Sequence, residues 1–486
     1  MKYTETAFIT GTVLRSLKIM NLIILESKKI TPLYIQLYNY YKTQIEENKL
    51  HQNEKLPSIR GLAKSLSISK ITVEKAYQQL ASEGYIENCD RSRYTVNKLE
   101  GFISNKTPLL IDHLSFNTII SPTNPVLYDF SSGEMDIDGF DFSLWKRYVS
   151  KAFLHKDRLV SYGNIKGEEE LRTEIAKYIH SSRGVYTQSS QIIIGAGVQN
   201  LLSILCSILK LENSSIAFEE PGFKNGRRIF ADNGFSIKPI KMKNNGIDME
   251  QLVDSGETLV YVSPSHQFPT GYIMPIGRRN QLLNWAKTNN GTIIEDDYDS
   301  EFRYFGRPIP ALKGLDTRGN VVYLGSFSKV IPPSIRISYM VLPEKFLDVY
   351  QKKSSLYNQA ASTIEQLALA QFMSDGHLER QIRKLRKLYY EKSRLFFDAI
   401  KNILGENVEV NANESGLHTI LTVKSPLQAR QLVEKALDHG CSVAPVEDYY
   451  WEVAPEKSPQ IILYFSKIPG DQMETAIKRL KDAWFN

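Results

Sequence analysis

Cysteine is scarce in this chain, and long apolar runs are absent. The 486 residues include only Cys89, Cys206 and Cys441, which stand far apart and form no CxxC pair. This spacing argues against a disulfide scaffold and against a cysteine metal site. No apolar run approaches the roughly 18 residues that a membrane-spanning helix needs. We therefore expect a cytoplasmic protein with reduced cysteines and no membrane partner.

A strong excess of one charge is also missing. Lys and Arg total 60 against 54 for Asp and Glu, which gives a formal net charge of +6. This balance permits binding to an anion such as DNA without demanding it. Hydrophobic residues make up 42% of the chain and charged residues 23%, as in globular proteins. The length predicts two to four folding units.

The first 30 residues contain one short apolar run, Asn21–Leu25. This run lacks the long apolar core and the small-residue cleavage site of a signal peptide. We interpret residues 1–30 as a leader that need not be structured, with Met20 as a candidate second start of translation.

Residues 31–98 have the pattern of a winged helix-turn-helix. The predicted elements are a helix opening at Thr31, a short helix from its cap Ser58 to Leu66, a helix from about Lys70 to Ser82, and strands at 85–87 and 94–96. Gly84 ends the third helix. Helix, helix, turn, helix and hairpin is the element order of this DNA-binding motif.

A helix-turn-helix reads DNA with the start of its second helix in the major groove. Hydroxyl and cationic side chains near this start offer hydrogen bonds to phosphates and base edges. The predicted DNA-contacting residues are Ser58, Arg60, Ser69, Lys70, Thr72, Arg91 and Arg93, the last two on the wing tip. Residues 31–98 hold ten Lys and Arg against seven Asp and Glu. The prediction therefore depends on spacing rather than on charge.

Leu56–Ala63, Ser69–Leu80 and Glu83–Ile86 resemble the head of GntR-type regulators, and the match covers nearly the whole unit. The resemblance implies a domain that binds a double-stranded DNA operator. Lys70 stands where the family usually has arginine, and the wing lacks the usual glycines at its tip. Both departures bear on the preferred DNA sequence rather than on DNA binding itself.

Residues 99–127 carry Ser, Thr, Asn and three prolines without any period, and we interpret them as a linker. From 128 to 486 helical stretches alternate with short β-rich runs, which predicts an α/β fold with a mostly parallel sheet and flanking helices. We expect a large part up to about 394 and a smaller α+β part over 395–486. The predicted strands are Gln191–Ile194, Ser215–Phe218, Leu259–Val262, Thr292–Glu295, Val321–Leu324 and Ile337–Val341.

The main chemical signal in this body is Gly325–Lys329, with Arg336 seven residues further on. A lysine in a loop after a strand can form a Schiff base with an aldehyde cofactor. The hydroxyls of Ser326 and Ser328 and the guanidinium of Arg336 suit a phosphate dianion. Taken alone the motif is weak, so the prediction depends on other segments.

Three other segments place polar groups after predicted strands, where α/β sheets bind ligands. Asp296 can hold a pyridine nitrogen protonated, and Tyr298 can hydrogen-bond a phenolic oxygen. The backbone N–H groups of Ala196 and Gly197, at the start of a helix, suit phosphate. Phe223 either stacks on the pyridine ring or is an ordinary core aromatic.

In their order along residues 128–486, these features resemble the fold type I aminotransferases. The resemblance implies pyridoxal 5′-phosphate (PLP) as cofactor, joined to Lys329 as an internal aldimine. It gives Asp296 the contact to the pyridinium and Tyr298 the contact to the phenolic oxygen. It assigns the phosphate to Ser326, Ser328, Arg336, Ala196 and Gly197. Tyr162 resembles the tyrosine that reaches the partner's phosphate across a dimer, which implies a homodimer.

Joined to a GntR-type head, this body resembles the MocR-type regulators, which include GabR and PdxR. Ser263–Gly271, Glu295–Phe302 and Gly376–Leu378 carry this resemblance. The HQFPTG segment replaces the NPTG of true aminotransferases, whose asparagine contacts the phenolic oxygen of the cofactor. His266 or Gln267 supplies that contact here, unless His266 is a plain loop histidine.

True aminotransferases, and GabR, use an arginine in the C-terminal part to grip the substrate carboxylate. Ile462 holds that position here, and Arg227 and Arg228 are the nearest other candidates by sequence. We therefore predict a PLP-dependent transcription regulator without significant transaminase turnover, which senses a small amine or PLP itself. An active aminotransferase with an accessory DNA-binding head is the alternative. A sensor of PLP level that controls PLP synthesis is a third reading.

Overall fold

The computed structural model describes Leu25 and residues 31–89, 93–98, 125–210, 214–304, 309–354, 358–411, 416–452 and 458–486. The chain divides into two compact units, residues 1–120 and 121–486, and each is described by itself. Apart from Leu25 the predicted leader lies outside the described residues, and so does nearly all of the predicted linker. No helix in the described ranges is long and apolar enough to cross a membrane.

The described part of the N-terminal unit consists of three helices and a hairpin. The helices are Leu33–Glu46, Ile59–Ser65 and Lys70–Ser82, and the antiparallel strands are Ile86–Cys89 and Arg93–Val96. Ser58 caps the second helix by accepting the N–H of Gly61 at 3.1 Å. Ser69 caps the third helix by accepting the N–H of Thr72 at 3.1 Å. The predicted winged helix-turn-helix is confirmed.

Tyr77 is the centre of the core of this unit. Its helix buries Val73, Ala76, Tyr77 and Leu80, the spacing of one helical face. The Tyr77 ring packs edge-on against Tyr41 of the first helix at 5.7 Å and against Tyr94 of the wing at 5.2 Å. One buried side chain therefore joins the third helix to the first helix and to the wing.

The C-terminal unit is built on a seven-stranded sheet. Its strand order is Ile192–Gly195, Ser338–Val341, Val321–Ser326, Thr292–Asp297, Leu259–Val262, Ser215–Glu220 and Ser236–Lys241. All strands run the same way except Ser338–Val341, which is antiparallel to both neighbours. The predicted mostly parallel sheet with flanking helices is therefore confirmed.

One strand of this sheet, Ser236–Lys241, was not predicted from the sequence. It lies at the edge of the sheet, and among the described strands it pairs with Ser215–Glu220 alone. Its residues are largely exposed or half-buried and include Lys238 and Pro239, so it lacks the apolar run of a central strand. A polar edge strand gives little hydrophobic signal in the sequence.

A second, smaller sheet follows the long helix His377–Ala399. It contains four antiparallel strands in the order Val408–Asn411, His418–Val423, Gln460–Tyr464 and Ala444–Pro445. A further short pair joins Tyr128–Asp129 to Cys441–Ser442. The other helices are Phe142–Ala152, Lys156–Leu159, Glu169–Arg183, Val198–Leu209, Lys224–Asp232, Met249–Asp254, Ile276–Thr288, Leu312–Leu315, Glu344–Ser354, Thr363–Ser374, Ala429–Asp438 and Met473–Phe485. Residues 395–486, with the small sheet and the helices Ala429–Asp438 and Met473–Phe485, have the α+β character that the sequence predicts.

A buried ion pair ties the helix Glu169–Arg183 to the central sheet. Arg183 and Asp297 are 4% and 5% exposed, and Nε of the arginine lies 2.7 Å from the carboxylate. The other guanidinium nitrogens donate to the hydroxyl of Ser265 and the carbonyl of Ile309. Loss of one partner would leave a buried charge uncompensated.

We expect Arg183→Met to lower the free energy of unfolding by about 3–5 kcal/mol, because the buried carboxylate of Asp297 would lose its cationic partner and keep only the hydroxyl of Tyr323. Denaturant unfolding of the full chain, monitored by circular dichroism, measures this change. The control is Arg228→Met, since the side chain of Arg228 is 73% exposed and pairs with Asp232 at the surface. The control should change stability by less than about 1 kcal/mol. Equal losses in both variants would contradict the assignment.

Candidate functional site

The carboxyl ends of six strands of the large sheet meet at one edge. These strands run in the same direction, and the loops that follow them carry most of the residues predicted for the cofactor. Such an edge is where open α/β sheets bind ligands. The candidate site is therefore assembled by the topology of the sheet from segments that are far apart in sequence.

The strand Thr292–Asp297 sorts its carboxylates between two faces, because successive side chains alternate. Glu295 accepts the N–H groups of Leu312 and Lys313, both at 2.7 Å, and Asp297 pairs with Arg183. Asp296 faces the other way and accepts the hydroxyl of Tyr261 at 2.6 Å. Asp296 is thus separated from the structural carboxylates on either side of it.

Burial raises the pKa of the Asp296 carboxyl to about 7, and the hydrogen bond from Tyr261 opposes this rise. A cationic group placed against the carboxylate would favour its charged form. A protonated pyridine nitrogen is such a group. Asp296 therefore fits the role that the resemblance implies for it.

Tyr298 and His266 lie side by side, and Asp299 holds the histidine. The Tyr298 hydroxyl is 3.1 Å from Nδ1 of His266, and this nitrogen is 2.8 Å from the Asp299 carboxylate. A carboxylate is the stronger acceptor, so Nδ1–H donates to Asp299. The hydroxyl proton of Tyr298 then remains for another acceptor, as a contact to a phenolic oxygen requires.

Gln267 is occupied within its own loop. Its Nε2 donates to the carbonyls of Pro221 and Phe268 at 2.8 Å, and its Oε1 accepts from Thr270. Of the two residues proposed for the contact of the missing asparagine, only His266 lies against Tyr298. Phe268 itself stands directly before Pro269 and fills the position of that asparagine.

A cluster of donors lies beside the helix Val198–Leu209. The hydroxyl of Ser326 is 3.0 Å from those of Ser328 and Ser338, and the guanidinium of Arg336 donates to the carbonyl of Ala196 at 3.2 Å. Gly197 has a φ of +90°, and its Cα lies so close to the Arg336 guanidinium that a Cβ would collide with it. The cluster joins hydroxyls and a guanidinium at a helix start, which fits a phosphate group.

Lys329 lies in the same region, in the segment after the strand Val321–Ser326. Its Nζ donates to the carbonyl of Gly133 and lies 5.8 Å from the ring centroid of Tyr464. Burial holds the pKa of the Lys329 amine below its ordinary value. A neutral amine is the form that attacks an aldehyde, so this environment fits a Schiff-base lysine.

Phe223 and Tyr162 have different surroundings. Phe223 precedes the helix Lys224–Asp232 and is nearly parallel to Tyr261, at 6.2 Å and 27°. Phe223 therefore packs beside the tyrosine that hydrogen-bonds Asp296. Tyr162 is 80% exposed, so it takes no part in the cluster within its own chain.

Three features of the candidate site were not found from the sequence. Tyr464 packs over Gly133, where a Cβ would lie 2.5 Å from the tyrosine ring. Asp299 holds His266, and Tyr261 supports Asp296. Each pairing joins segments that are distant in sequence. The local motifs of the GntR-type and aminotransferase families therefore did not indicate these pairings.

Neither alternative arginine is available to hold a carboxylate. Arg227 is 1% exposed, forms an ion pair with Glu220 and donates to the carbonyls of Gly222 and Tyr449. Arg228 points to the surface and pairs with Asp232. The suggestion that one of them replaces the missing anchor is therefore wrong for the arrangement observed here.

The DNA-binding candidates lie at the surface of the N-terminal unit. Arg60 and Lys70 are exposed, and Thr72 lies in the first turn of the helix Lys70–Ser82 with its Oγ1 2.8 Å from Oγ of Ser69. Ser58 and Ser69 cap their helices with the same hydroxyls that were predicted to contact DNA. Arg93 is exposed on the second strand, whereas Arg91 lies outside the described residues.

Comparison with known proteins gives two family matches. Residues 33–96 match the gntR family of bacterial regulatory proteins, and residues 126–478 match aminotransferase class I and II. The second match alone covers well over half of the chain. The aminotransferase fold of this class is PLP-dependent, so the predicted cofactor is confirmed for the family.

Relatives match over nearly the whole chain. YdeL of Bacillus subtilis (strain 168), an uncharacterized HTH-type transcriptional regulator, is 41% identical over 93% of this chain and 97% of its own length. The probable rhizopine catabolism regulatory protein MocR of Rhizobium meliloti is 29% identical over 95% of this chain and 96% of its own.

A solved structure matches the larger unit. Kynurenine aminotransferase of Pyrococcus horikoshii superposes with a TM-score of 0.66 at 24% identity, over 74% of this chain and 91% of its own. At this identity the match establishes the fold alone. Together with the two family matches, these findings place a DNA-binding head and an aminotransferase-like body in one polypeptide. The chain belongs to the MocR-type transcription regulators, in which a GntR-family winged helix-turn-helix is joined to a PLP-dependent aminotransferase-like domain.

Proposed function

We propose that this protein is a regulator whose body carries PLP on Lys329 and responds to a small amine or to PLP itself. The observation that carries the proposal is the convergence of Lys329, Asp296, Tyr298 and Arg336 at one edge of the sheet, in a chain with a DNA-binding head. A bound ligand shifts the equilibrium between two states of the body only if it binds them with different affinity. The head then binds its operator differently in the two states.

Different side chains would contact different parts of the cofactor. Asp296 would hold the ring nitrogen protonated, Tyr298 would donate to the phenolic oxygen, and Phe223 would pack against the ring. Asp299 would hold His266 in place, and the imidazole lies beside Tyr298. The residues that hold the phosphate are Ser326, Ser328, Arg336, Ala196 and Gly197. PLP supplies an aldehyde that binds primary amines reversibly.

Tyr162 suggests that the functional unit is a homodimer. The side chain is 80% exposed in the single chain, although tyrosine usually finds partners for its ring and hydroxyl. Other large apolar side chains nearby are also exposed, among them Phe153, Leu154 and Val160. In a dimer this surface would be covered, and Tyr162 would reach the phosphate in the partner subunit.

Regulation is favoured over transamination by the C-terminal strand Gln460–Tyr464. Ile462 holds the position of the carboxylate-binding arginine and is fully buried, with no exposed surface. Arg227, the nearest alternative, is already paired with Glu220. Efficient proton transfer requires an oriented substrate, and an anchored carboxylate normally provides that orientation. An active aminotransferase remains the second candidate function.

We predict that the purified protein is yellow and that Lys329→Ala abolishes the visible absorbance of lysine-bound PLP. The lysine nitrogen forms the covalent link, so no other side chain can restore the band. Absorbance spectra measure the loss, and borohydride reduction followed by peptide mass spectrometry should locate the cofactor on Lys329. The exposed Lys177 provides the control Lys177→Ala, which should keep the band. A wild-type protein that stays colourless with added PLP would overturn the cofactor assignment.

Arg60→Ala and Lys70→Ala should each weaken binding to the operator, while PLP absorbance stays unchanged. If Lys70 reaches a guanine, its loss should reduce binding by about 1–3 kcal/mol and relax specificity at one base pair. Fluorescence anisotropy with DNA from the protein's own upstream region, with and without PLP, measures this effect. Lys49→Ala is the control, because Lys49 lies outside the helix-turn-helix and pairs with Glu47. Operator affinity equal to wild type in both variants would refute the predicted groove placement.

We expect negligible transamination of common α-amino acids. The protein provides no arginine at position 462 to hold the carboxylate, so the bond to be broken is not kept perpendicular to the ring. The test mixes the PLP form with each of a panel of amino acids. Absorbance then monitors single-turnover conversion to the pyridoxamine form. Rapid conversion by any of them would identify the protein as an enzyme and make regulation its second function.

A further inference from the structure

Aromatic side chains form a wall beside Lys329. We call this surface the aromatic wall and define it as Tyr464, His418, Phe268 and Tyr449. The ring centroids of His418 and Tyr464 lie 4.9 Å apart, those of Phe268 and His418 5.5 Å, and those of Phe268 and Tyr449 4.9 Å. The wall begins at Tyr464, whose ring lies 5.8 Å from Nζ of Lys329.

The wall takes the place of the missing anchor. Residues two apart on a strand face the same way, so Ile462 and Tyr464 lie on one face of the strand Gln460–Tyr464. Tyr464 pairs across the strand with His418, and Ile462 pairs with Ile420. The face that would carry a guanidinium toward the ligand therefore carries isoleucine and tyrosine.

No cation in the wall can hold a carboxylate. Burial lowers the pKa of His418 to about 4, so this imidazole is neutral at pH 7. Its Nε2–H donates to the carbonyl of Pro269 at 2.9 Å, which leaves Nδ1 as a lone-pair acceptor. That Nδ1 is buried and has no hydrogen-bond partner among the described residues. An unpaired acceptor repels a carboxylate and suits a donor.

Apart from Lys329 itself, the two described cations next to the wall, Arg227 and Lys467, are already paired. Arg227 bonds to Glu220 and to the carbonyl of Tyr449. Lys467 lies 3.0 Å from Asp129 and 2.9 Å from Glu134, which follows the Gly133 that contacts Lys329. A ligand carboxylate would have to displace one of these acidic partners to gain an ion pair.

We propose that the ligand bound beside Lys329 is a primary amine that has no carboxylate and carries an aromatic or other apolar substituent. This inference rests on the proposed function and names the chemical class of its ligand. The amine nitrogen replaces the Lys329 nitrogen in the C=N bond to the aldehyde carbon of PLP. The two hydrogens of the incoming amine are balanced by the two that Lys329 gains, and nothing is oxidised or reduced.

The physical reason is the cost of an unpaired charge in a buried site. An α-amino acid would bring its carboxylate against Tyr464, where the described residues offer no free cation to neutralise it. The matching amine lacks that charge and places its apolar substituent against aromatic rings, which favour edge-on and offset contacts. Tyr464 is therefore the residue that sets specificity.

The test compares 2-phenylethylamine with L-phenylalanine, which differ only by the carboxylate. Both are titrated into the full-length PLP-loaded protein, and binding is measured by the shift of the visible band and by thermal stabilisation. We expect saturable binding of the amine. The affinity for the amino acid should be lower by a factor of about one hundred or more, which is the order expected for an unpaired buried charge. Equal affinities, or tighter binding of phenylalanine, would overturn the inference.

Variants of Tyr464 test the same point without changing the ligand. Tyr464→Phe should keep the preference for the amine, whereas Tyr464→Ala should lose at least about tenfold in amine affinity, because the ring contact is gone. PLP absorbance and the melting temperature report whether each variant loads cofactor and folds. Tyr186→Ala removes an 80% exposed tyrosine and serves as the matched control. Unchanged amine affinity in a folded Tyr464→Ala protein would refute the role of the wall.

The outcomes separate the inference from the proposed function. A protein that fails to load PLP contradicts the proposed function, and the inference falls with it. A protein that loads PLP and binds its operator but binds neither probe overturns the inference alone and favours PLP itself as the ligand. A protein that loads PLP and binds only the amine supports both.

Discussion

Carboxylates at alternate positions from 295 to 301 hold together the segments from which the site is built. Glu295 accepts two backbone N–H groups at the start of the helix Leu312–Leu315, and Asp297 pairs with Arg183. Asp299 holds His266, and Glu301 accepts the hydroxyl of Tyr178 at 2.7 Å. Each of these carboxyl groups has a specific partner, which is the condition under which buried polar groups are tolerated.

This alternation also decides what remains for chemistry. Within the strand Thr292–Asp297, Asp296 projects from the face opposite to Glu295 and Asp297, and Tyr298 follows the end of the strand. Their backbone is fixed by the neighbouring carboxylates, so the geometry of Asp296 and Tyr298 is set before any ligand binds. Such preorganisation lowers the ordering that a bound group must impose. The buried network and the cofactor site thus share one segment of the chain.

The sequence predicted the features whose causes are local. Ser58 and Ser69 marked helix starts because a cap acts within three residues, and central strands were visible as apolar runs. The edge strand Ser236–Lys241 escaped because its exposed, lysine-containing pattern resembles a loop. The aminotransferase motifs gathered most of the cofactor residues, since their order along the chain is distinctive.

The remaining features depend on tertiary contacts. Tyr464 is 135 positions from Lys329, and no local pattern indicates that its ring packs over Gly133. Likewise, the pairing of Arg227 with Glu220 follows from burial rather than from sequence spacing. An arginine near a cofactor motif is available to a ligand only if the fold leaves it unpaired.

A receptor of this kind follows from an aminotransferase by loss of one interaction. An amine-reactive aldehyde and a lysine that competes for it already make a reversible binding site. The anchored carboxylate adds the orientation that turns binding into proton transfer, and it is worth several powers of ten in rate. A site with isoleucine at position 462 keeps the exchange of amines and gives up that orientation. Under the proposed function, binding of an amine in place of Lys329 shifts the body between two states. The size of the shift depends on how much more tightly the amine binds one state than the other.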